Sequence, residues 1–326
     1  MARPGEFEII ERYFRPLADD PGAVNLTDDA AVYNPPHGEE VVLKADLVAE
    51  GVHYLPDDPA RSVAQKALRV NLSDLAAKGA VPVGYLLSLA LRPDWTEDWV
   101  AGFAGGLAAD QEQFGVTLFG GDTSRASGGT VVSIAALGRA PVGSLVRRKG
   151  ARDGDAVFVS GTIGDAALGL RIRLGTIDAM PAGGAADHLL DRYLHPQPRV
   201  ALAPVIRAFA TASMDVSDGL VGDLGHICRQ SAVEAVIDAA AVPLSAGARA
   251  LVAADPTALE TVLTGGDDYE ILATVPPGAA EAFAEAASRA GVPVIRIGTV
   301  RTGTPRVTVE GPEGPLRLGR TSHVHF

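Results

Sequence analysis

The sequence predicts an α+β (mixed α/β) protein of two domains, and three observations carry that expectation. Apolar runs of strand character alternate with segments of helical periodicity along the whole chain. Glycine (37 residues) and proline (22) are spread from end to end, which calls for many short loops and no long linker. Between residues 141 and 155 the chain turns polar and glycine-rich, and the domain boundary is placed there, separating residues 1–140 from 141–326.

From the N-terminus, Gly5 to Phe14 reads as a short amphipathic helix, because Phe7, Ile10 and Phe14 recur at i, i+3 and i+7. Glu40 to Ala45 is a short β-rich run ending at Asp46, and Val48 to Tyr54 is either a second strand or an irregular continuation. A helix is expected from near Pro59, with Asp57 and Asp58 as candidate caps, to Lys78, where Gly79 supplies a stop; Asp74 lies near its end. Tyr85 to Leu91 is read as a buried strand and Thr96 to Phe114 as a helix. Val116 to Phe119 is a strand running into Gly120-Gly121-Asp122-Thr123, and Val131 to Gly138 is another. The second half repeats the mixture: strand Ala156 to Ser160, helix from about Asp165, helix near Arg199 to Thr211, strand-like Ala212 to Val216, helix Gly219 to Ser231 and strand Tyr269 to Val275. Leu118 to Asp122 and Leu263 to Asp267 both place an acid after a glycine pair, though two occurrences do not make a repeat.

A chain of 326 residues, 47% hydrophobic and 21% charged, buries a full-sized core. Its 28 Lys and Arg against 40 Asp and Glu give a net charge of −12, which argues against coating nucleic acid or an anionic membrane. The largest basic run is Arg147-Arg148-Lys149. The single cysteine, Cys228, excludes an intramolecular disulfide and a cysteine-based zinc site, and fits a reducing compartment. The first fourteen residues carry charge where a secretory signal needs an apolar core. The longest apolar stretch, Val81 to Leu91, is well short of the roughly 20 residues of a membrane helix. A cytoplasmic setting without nucleic-acid or membrane partners is therefore expected.

Asp28-Asp29, Asp46, Asp74, Asp122, Asp215, Asp218 and Asp267-Asp268 each adjoin an apolar strand or a small-residue turn, where loops converge. Carboxylates gathered there repel one another unless cations neutralise them, and hard cations, chiefly Mg²⁺, suit oxygen ligands. Taken singly, each aspartate is equally a helix cap or turn former; taken together, the set favours cations. No Gly-Lys-Ser/Thr, His-Arg-Asp or Asp-Phe-Gly occurs, which removes the P-loop and protein-kinase classes. If phosphates are handled, metals on the aspartates must carry much of the binding, helped by glycine-loop amides and arginines such as Arg148. Gly161-Thr162-Ile163-Gly164 is either a phosphate loop or simply a turn. Ser217 lacks a nucleophile elbow, and Cys228 sits among core residues of a helix. His53 either faces the acidic site or is a hydrogen-bonded structural histidine.

Seven segments in order carry a resemblance: Gly5-Glu-Phe-Glu8, Asp28-Asp-Ala-Ala31, Asp46 with Gly51-Val-His53, Val70-Asn-Leu-Ser-Asp-Leu-Ala-Ala77, Gly120-Gly-Asp-Thr123, Asp215-Val-Ser-Asp-Gly219 and Gly265-Gly-Asp-Asp-Tyr-Glu270, with a weaker C-terminal His-Phe. Each is unspecific alone; together they resemble the thiamine-monophosphate kinases, a family of the aminoimidazole ribonucleotide synthetase-like superfamily. The resemblance implies that superfamily's two-domain architecture, a homodimer paired through N-terminal domains, and transfer of the ATP γ-phosphoryl group to thiamine monophosphate with several Mg²⁺ ions. Carried over by position, Asp29, Asp46, Asp74, Asp122, Asp215 and Asp218 would hold metal. Gly121, Asp122, Arg148 and Ser217 would contact ATP, and His53, Asp267 and His323 the thiamine phosphate.

The sequence departs from the family pattern at five residues. Thr27 replaces a glycine before the first Asp pair, Lys44 and Ala45 replace hydroxyl residues before Asp46, Asp267 replaces a glutamate, and His323 replaces a stacking aromatic residue. The alternatives are another ATP-dependent synthetase of the superfamily and a non-catalytic metal- or nucleotide-binding paralogue.

Overall fold

The structure is a computed structural model in which residues 4–177, 181 and 183–322 are described. It has the mixed α/β class that the sequence predicts, divided into two compact units: Met1–Leu75 with Ala80–Gly143, and Ala76–Gly79 with Ser144–Phe326. No helix among the described residues is long and apolar enough to cross a membrane.

The first unit runs α1 (Glu6–Ile9), β1 (Glu39–Ala49), α2 (Ala60–Ala77), β2 (Val81–Leu91), α3 (Glu97–Phe114), β3 (Thr117–Arg125) and β4 (Val131–Pro141), the last two residues of α2 belonging to the second unit. The four strands form one sheet in the order β1-β4-β2-β3, antiparallel except for the parallel β2–β3 pair. Thr96 caps α3 by accepting the Trp99 amide, and Gly115 ends it in the left-handed conformation (φ 65°). Between α2 and α3, buried Arg69 donates to both carboxylate oxygens of Asp110 at 2.8 Å, and Gln65 adds a third bond.

Three expectations for this unit are corrected. The N-terminal segment buries Phe14 as expected but not Phe7, which is 83% exposed; Ile9 points inward in its place. The helix widens to a π-type turn over Ile10–Phe14, and such turns bring residues five apart onto one face. The run at Glu40 does not end at Asp46: β1 pairs with β4 without interruption from Glu39↔Pro141 to Ala49↔Val131, so Asp46 is a mid-strand residue. Val48 and Ala49 continue that strand, and a turn follows, closed by a bridge between Glu50 and Tyr54. Likewise β3 continues through Gly120–Arg125 rather than stopping at Phe119, because β2 pairs with it as far as Arg125.

The second unit runs β5 (Ala156–Ser160), α4 (Asp165–Arg173), α5 (Ala185–Leu194), α6 (Ala203–Phe209), β6 (Ala212–Asp215), α7 (Leu220–Ser231), β7 (Glu234–Asp238), α8 (Ala246–Ala254), α9 (Ala258–Thr264), β8 (Ile271–Val275), α10 (Ala280–Arg289), β9 (Val294–Arg301), β10 (Arg306–Gly311) and β11 (Gly314–Pro315). Its sheet has the order β11-β10-β7-β9-β5-β8-β6. Strand β5 is buried throughout, and its alternate residues feed two cores: Val157 and Val159 pack with Leu168, Leu220 and Leu224, while Ala156 and Phe158 pack with Ile206 and Phe283. The helix expected over Arg199–Thr211 is a 3₁₀ turn, Val200–Leu202, followed by the shorter α6, which carries Pro204 in its first turn.

Candidate functional site

In the first unit, alternation along β1 puts Lys44 and Asp46 on the same sheet face, and Asp74 approaches from the last turns of α2. The Lys44 ammonium lies 3.0 Å from Asp46 Oδ1 and 2.6 Å from Asp74 Oδ2, so it bridges two of the residues expected to hold metal. Burial works against the lysine charge, but the two carboxylates outweigh it and hold its pKa above the ordinary lysine value. Burial likewise raises the Asp46 carboxyl above its usual range, against the opposing pull of Lys44. Oxygen donors from two carboxylates around a point already taken by a cation are the donor chemistry of a hard-metal position, and Mg²⁺ fits it. Among the described residues, no group of three His, Cys, Asp or Glu side chains converges closely enough to hold a metal by itself.

Asp28, Asp29, Gly121 and Asp122 line a cavity of about 780 Å³ together with Tyr33 and Ser88. The loop bearing Asp29 is entered through Val24, Asn25 and Leu26, all with left-handed φ of 50–55°, a strained run of non-glycine residues. Thr27 closes this run by donating its hydroxyl to the Val24 carbonyl. Gly121 packs directly on β2: a β carbon there would fall 1.8 Å from the Leu87 carbonyl oxygen, so no other residue holds Asp122 in this register opposite Ser88. His53 accepts the Ala49 amide at Nδ1 (3.1 Å), and its carbonyl accepts from the Lys66 ammonium, which ties the ring to the turn after β1.

In the second unit, two loops lock together. Asp267 donates its amide to the Ser217 carbonyl, Tyr269 donates to Val216, and Val216 donates to Glu270, all at 2.8 Å. This joins Asp215, Ser217 and Asp218 to Asp267 within one junction. Asp267 and Tyr269 hold left-handed φ of 73° and 52°, which concentrates backbone strain there. Gly219 (φ 120°) passes so close to Thr264 that a β carbon would lie 2.6 Å from its carbonyl carbon. Arg148 is exposed, and its carbonyl accepts from the Ser231 hydroxyl. His323 lies outside the described residues.

Three carboxylates support this junction: Asp268 and Glu270, which lie in segments that the sequence already marks, and Asp223, which it does not. Asp223, one turn into α7, accepts the amides of Ser217, Asp218 and Gly219 at 3.0–3.2 Å, which fixes the loop. Burial nevertheless pushes its carboxyl up to about 7. Asp268 accepts the Gly164 amide at 2.7 Å, and its burial also raises its pKa. Glu270, fully buried, takes bonds from Arg192 and Arg199 and from the Ser160 hydroxyl. The only signal for Asp223 was its position shortly after Asp218 at the start of a helix; Arg192 carried none, because α5 was not read.

Asp223 sets a pH dependence of stability in the ligand-free protein. Its native pKa lies above the unfolded value of about 4, so the native state binds the extra proton and stability falls as pH rises between about 4 and 7, by about 1 kcal/mol per pH unit. Asp223→Asn, which cannot ionise, is expected to flatten that slope in urea unfolding measured across the range. An unchanged slope would exclude Asp223 as its source.

A four-stranded sheet in the first unit and a seven-stranded sheet in the second are the folds of two domains of one class, the AIR synthase related proteins. The family model of the N-terminal domain matches residues 27–140, and that of the C-terminal domain matches residues 152–310. The thiamine-monophosphate kinase of Caulobacter vibrioides is 44% identical over 309 residues, 91% of this chain and 84% of that one. The crystal structure of the thiamine-monophosphate kinase from Stenotrophomonas maltophilia is 40% identical and superposes with a TM-score of 0.81 over 87% of this chain and 90% of its own. A structure described as "AaThiL complexed with AMPPCP and TMP" is 30% identical, with a TM-score of 0.77 over 100% of this chain and 99% of that one. The chain belongs to the thiamine-monophosphate kinase family.

Proposed function

We propose that the protein transfers the γ-phosphoryl group of ATP directly and in line to thiamine monophosphate, giving thiamine diphosphate and ADP, and that it works as a cytoplasmic homodimer. The observation that carries this reading is membership of the family along the chain, together with paired carboxylates, Asp46 and Asp74, at a position that already holds a cationic group. The acceptor is itself a phosphate with a second pKa of about 6, so it arrives ionised near neutral pH and needs no base. The obstacle is repulsion between two polyanions.

In the first unit Asp29, Asp46, Asp74 and Asp122 would hold Mg²⁺, and in the second Asp215 and Asp218 would do so. When bound, Mg²⁺ supplies charge neutralisation and alignment of phosphate oxygens. The chain's own residues do the rest. Gly121 keeps Asp122 at the cavity wall, and the Asp223 carboxylate holds Ser217 and Asp218 in one loop conformation. Arg148 and Ser217 would meet ATP phosphates, while His53, Asp267 and His323 would meet the thiamine phosphate. Asp267 is one methylene shorter than glutamate, and its loop is pinned at the backbone to Ser217 and Val216.

Dimerisation through the first unit is supported by an apolar sheet face. Val41, Leu43 and Leu47 of β1 and Leu86 of β2 are 39%, 75%, 50% and 41% exposed, and the register places Leu43 opposite Leu137 and Leu86 opposite Ala135 on this same face. A charge placed there would be desolvated on association, so Leu43→Asp is expected to weaken self-association about a hundredfold in sedimentation equilibrium. A variant that associates as the parent does would rule out this face.

The activity is tested with purified protein, ATP and Mg²⁺, adding thiamine monophosphate, thiamine or no acceptor, with products separated by chromatography. Thiamine diphosphate formed only from the monophosphate, and lost with EDTA, is the expected result. ATP binding without any thiamine product would turn the search to other acceptors of the superfamily, and absence of ATP binding would favour a non-catalytic paralogue.

A further inference from the structure

We propose that Lys44 is a built-in counter-ion for the Asp46–Asp74 pair, one that a divalent cation must displace, so that Lys44 sets how tightly the first unit takes up Mg²⁺. The inference rests on the phosphoryl-transfer reading above. It starts from geometry: the ammonium stands within ion-pair distance of one oxygen of each carboxylate, at 3.0 and 2.6 Å. All three side chains are partly sheltered, with 29%, 38% and 18% of Lys44, Asp46 and Asp74 exposed, so their interaction is screened less than that of a surface pair.

A tethered ammonium competes at the high effective concentration of any intramolecular ligand. It contributes one charge against two, which leaves the trio with a residual negative charge that still attracts a dication. Two carboxylates alone are a thin ligand set for Mg²⁺, which favours octahedral oxygen coordination and usually completes it with water and substrate phosphates. The free enzyme therefore holds Mg²⁺ weakly at this pair, and a phosphate-bearing ligand that adds oxygen donors tips the balance. The four-carbon stem of lysine lets the ammonium swing aside without backbone movement. Lys44 thereby couples metal loading to nucleotide arrival, and it is a positioning residue rather than a catalytic one.

The test is Mn²⁺ binding, followed by electron paramagnetic resonance on the full chain without nucleotide, in the parent and in Lys44→Ser, Lys44→Met and Lys44→Arg. Lys44→Ser and Lys44→Met are expected to bind Mn²⁺ about tenfold more tightly than the parent, with Lys44→Arg close to the parent. Adding Asp74→Asn to Lys44→Met is expected to abolish the gain. A second readout is thermal: without divalent ions the Lys44→Met carboxylates repel, so its melting temperature should fall and be restored by Mg²⁺, whereas the parent should shift little. Lys44→Met keeps the stem and volume, so it decides the matter if Lys44→Ser does not fold. Equal Mn²⁺ affinity in parent and variants overturns the proposal, even where the parent forms thiamine diphosphate. A parent that forms no thiamine diphosphate overturns the phosphoryl-transfer reading instead, whatever the Mn²⁺ result.

Discussion

Asp74→Asn is expected to lower the rate of thiamine diphosphate formation by about a thousandfold or more while the protein remains folded. The substitution is isosteric, and the residue sits near the end of α2 with 18% of its side chain exposed, so little packing is lost. What changes is charge. The carboxylate is one of two that bracket the Lys44 ammonium, and with asparagine the lysine keeps only Asp46 at 3.0 Å. The position would then hold a dication poorly at the point where phosphate charge has to be neutralised. The rate is measured under saturating ATP, with the thermal transition as the control for folding. Near-normal turnover by a folded variant would remove Asp74 from the site.

The largest effect on stability is expected at Glu270. Its carboxylate is fully buried and receives Arg192 at 2.7 Å, Arg199 through Nε at 2.7 Å and again through Nη2, and the Ser160 hydroxyl at 2.6 Å. Glu270→Gln keeps the shape but leaves two guanidinium groups around a neutral amide, and removing one partner of a buried ionic cluster costs about 3–5 kcal/mol. The same carboxylate anchors the strained loop of Asp267 and Tyr269, so the thiamine phosphate KM should rise together with the loss of stability. Urea unfolding gives the first quantity and steady-state kinetics the second. A cost below about 1 kcal/mol would mean that the cluster is replaceable by neutral hydrogen bonds.

The seven short segments were legible because each is a run of neighbours along the chain, whose residue types and order can be read without knowing how the chain folds. Their supports were not legible. Nothing in Lys44-Ala45-Asp46 announces that the lysine reaches Asp74 on another element, and Glu270 meets arginines contributed by α5 and by the turn before α6. The helices α8, α9 and α10 went unread for a different reason: α8 and α10 are rich in alanine, a strong helix former but a weak apolar marker, and α9 is only seven residues long, too short for a period to show.

By itself the sequence determined the mixed α/β class, the family, the limits of strand β5 and those of α3, since periodicity, caps and ordered motifs are properties of neighbours along the chain. The tertiary structure alone decided that Asp46 stands mid-strand, that Phe7 faces solvent, and that an ammonium lies between Asp46 and Asp74. Those outcomes depend on strand register and on where a helix end docks, and both are settled by packing among segments far apart in sequence.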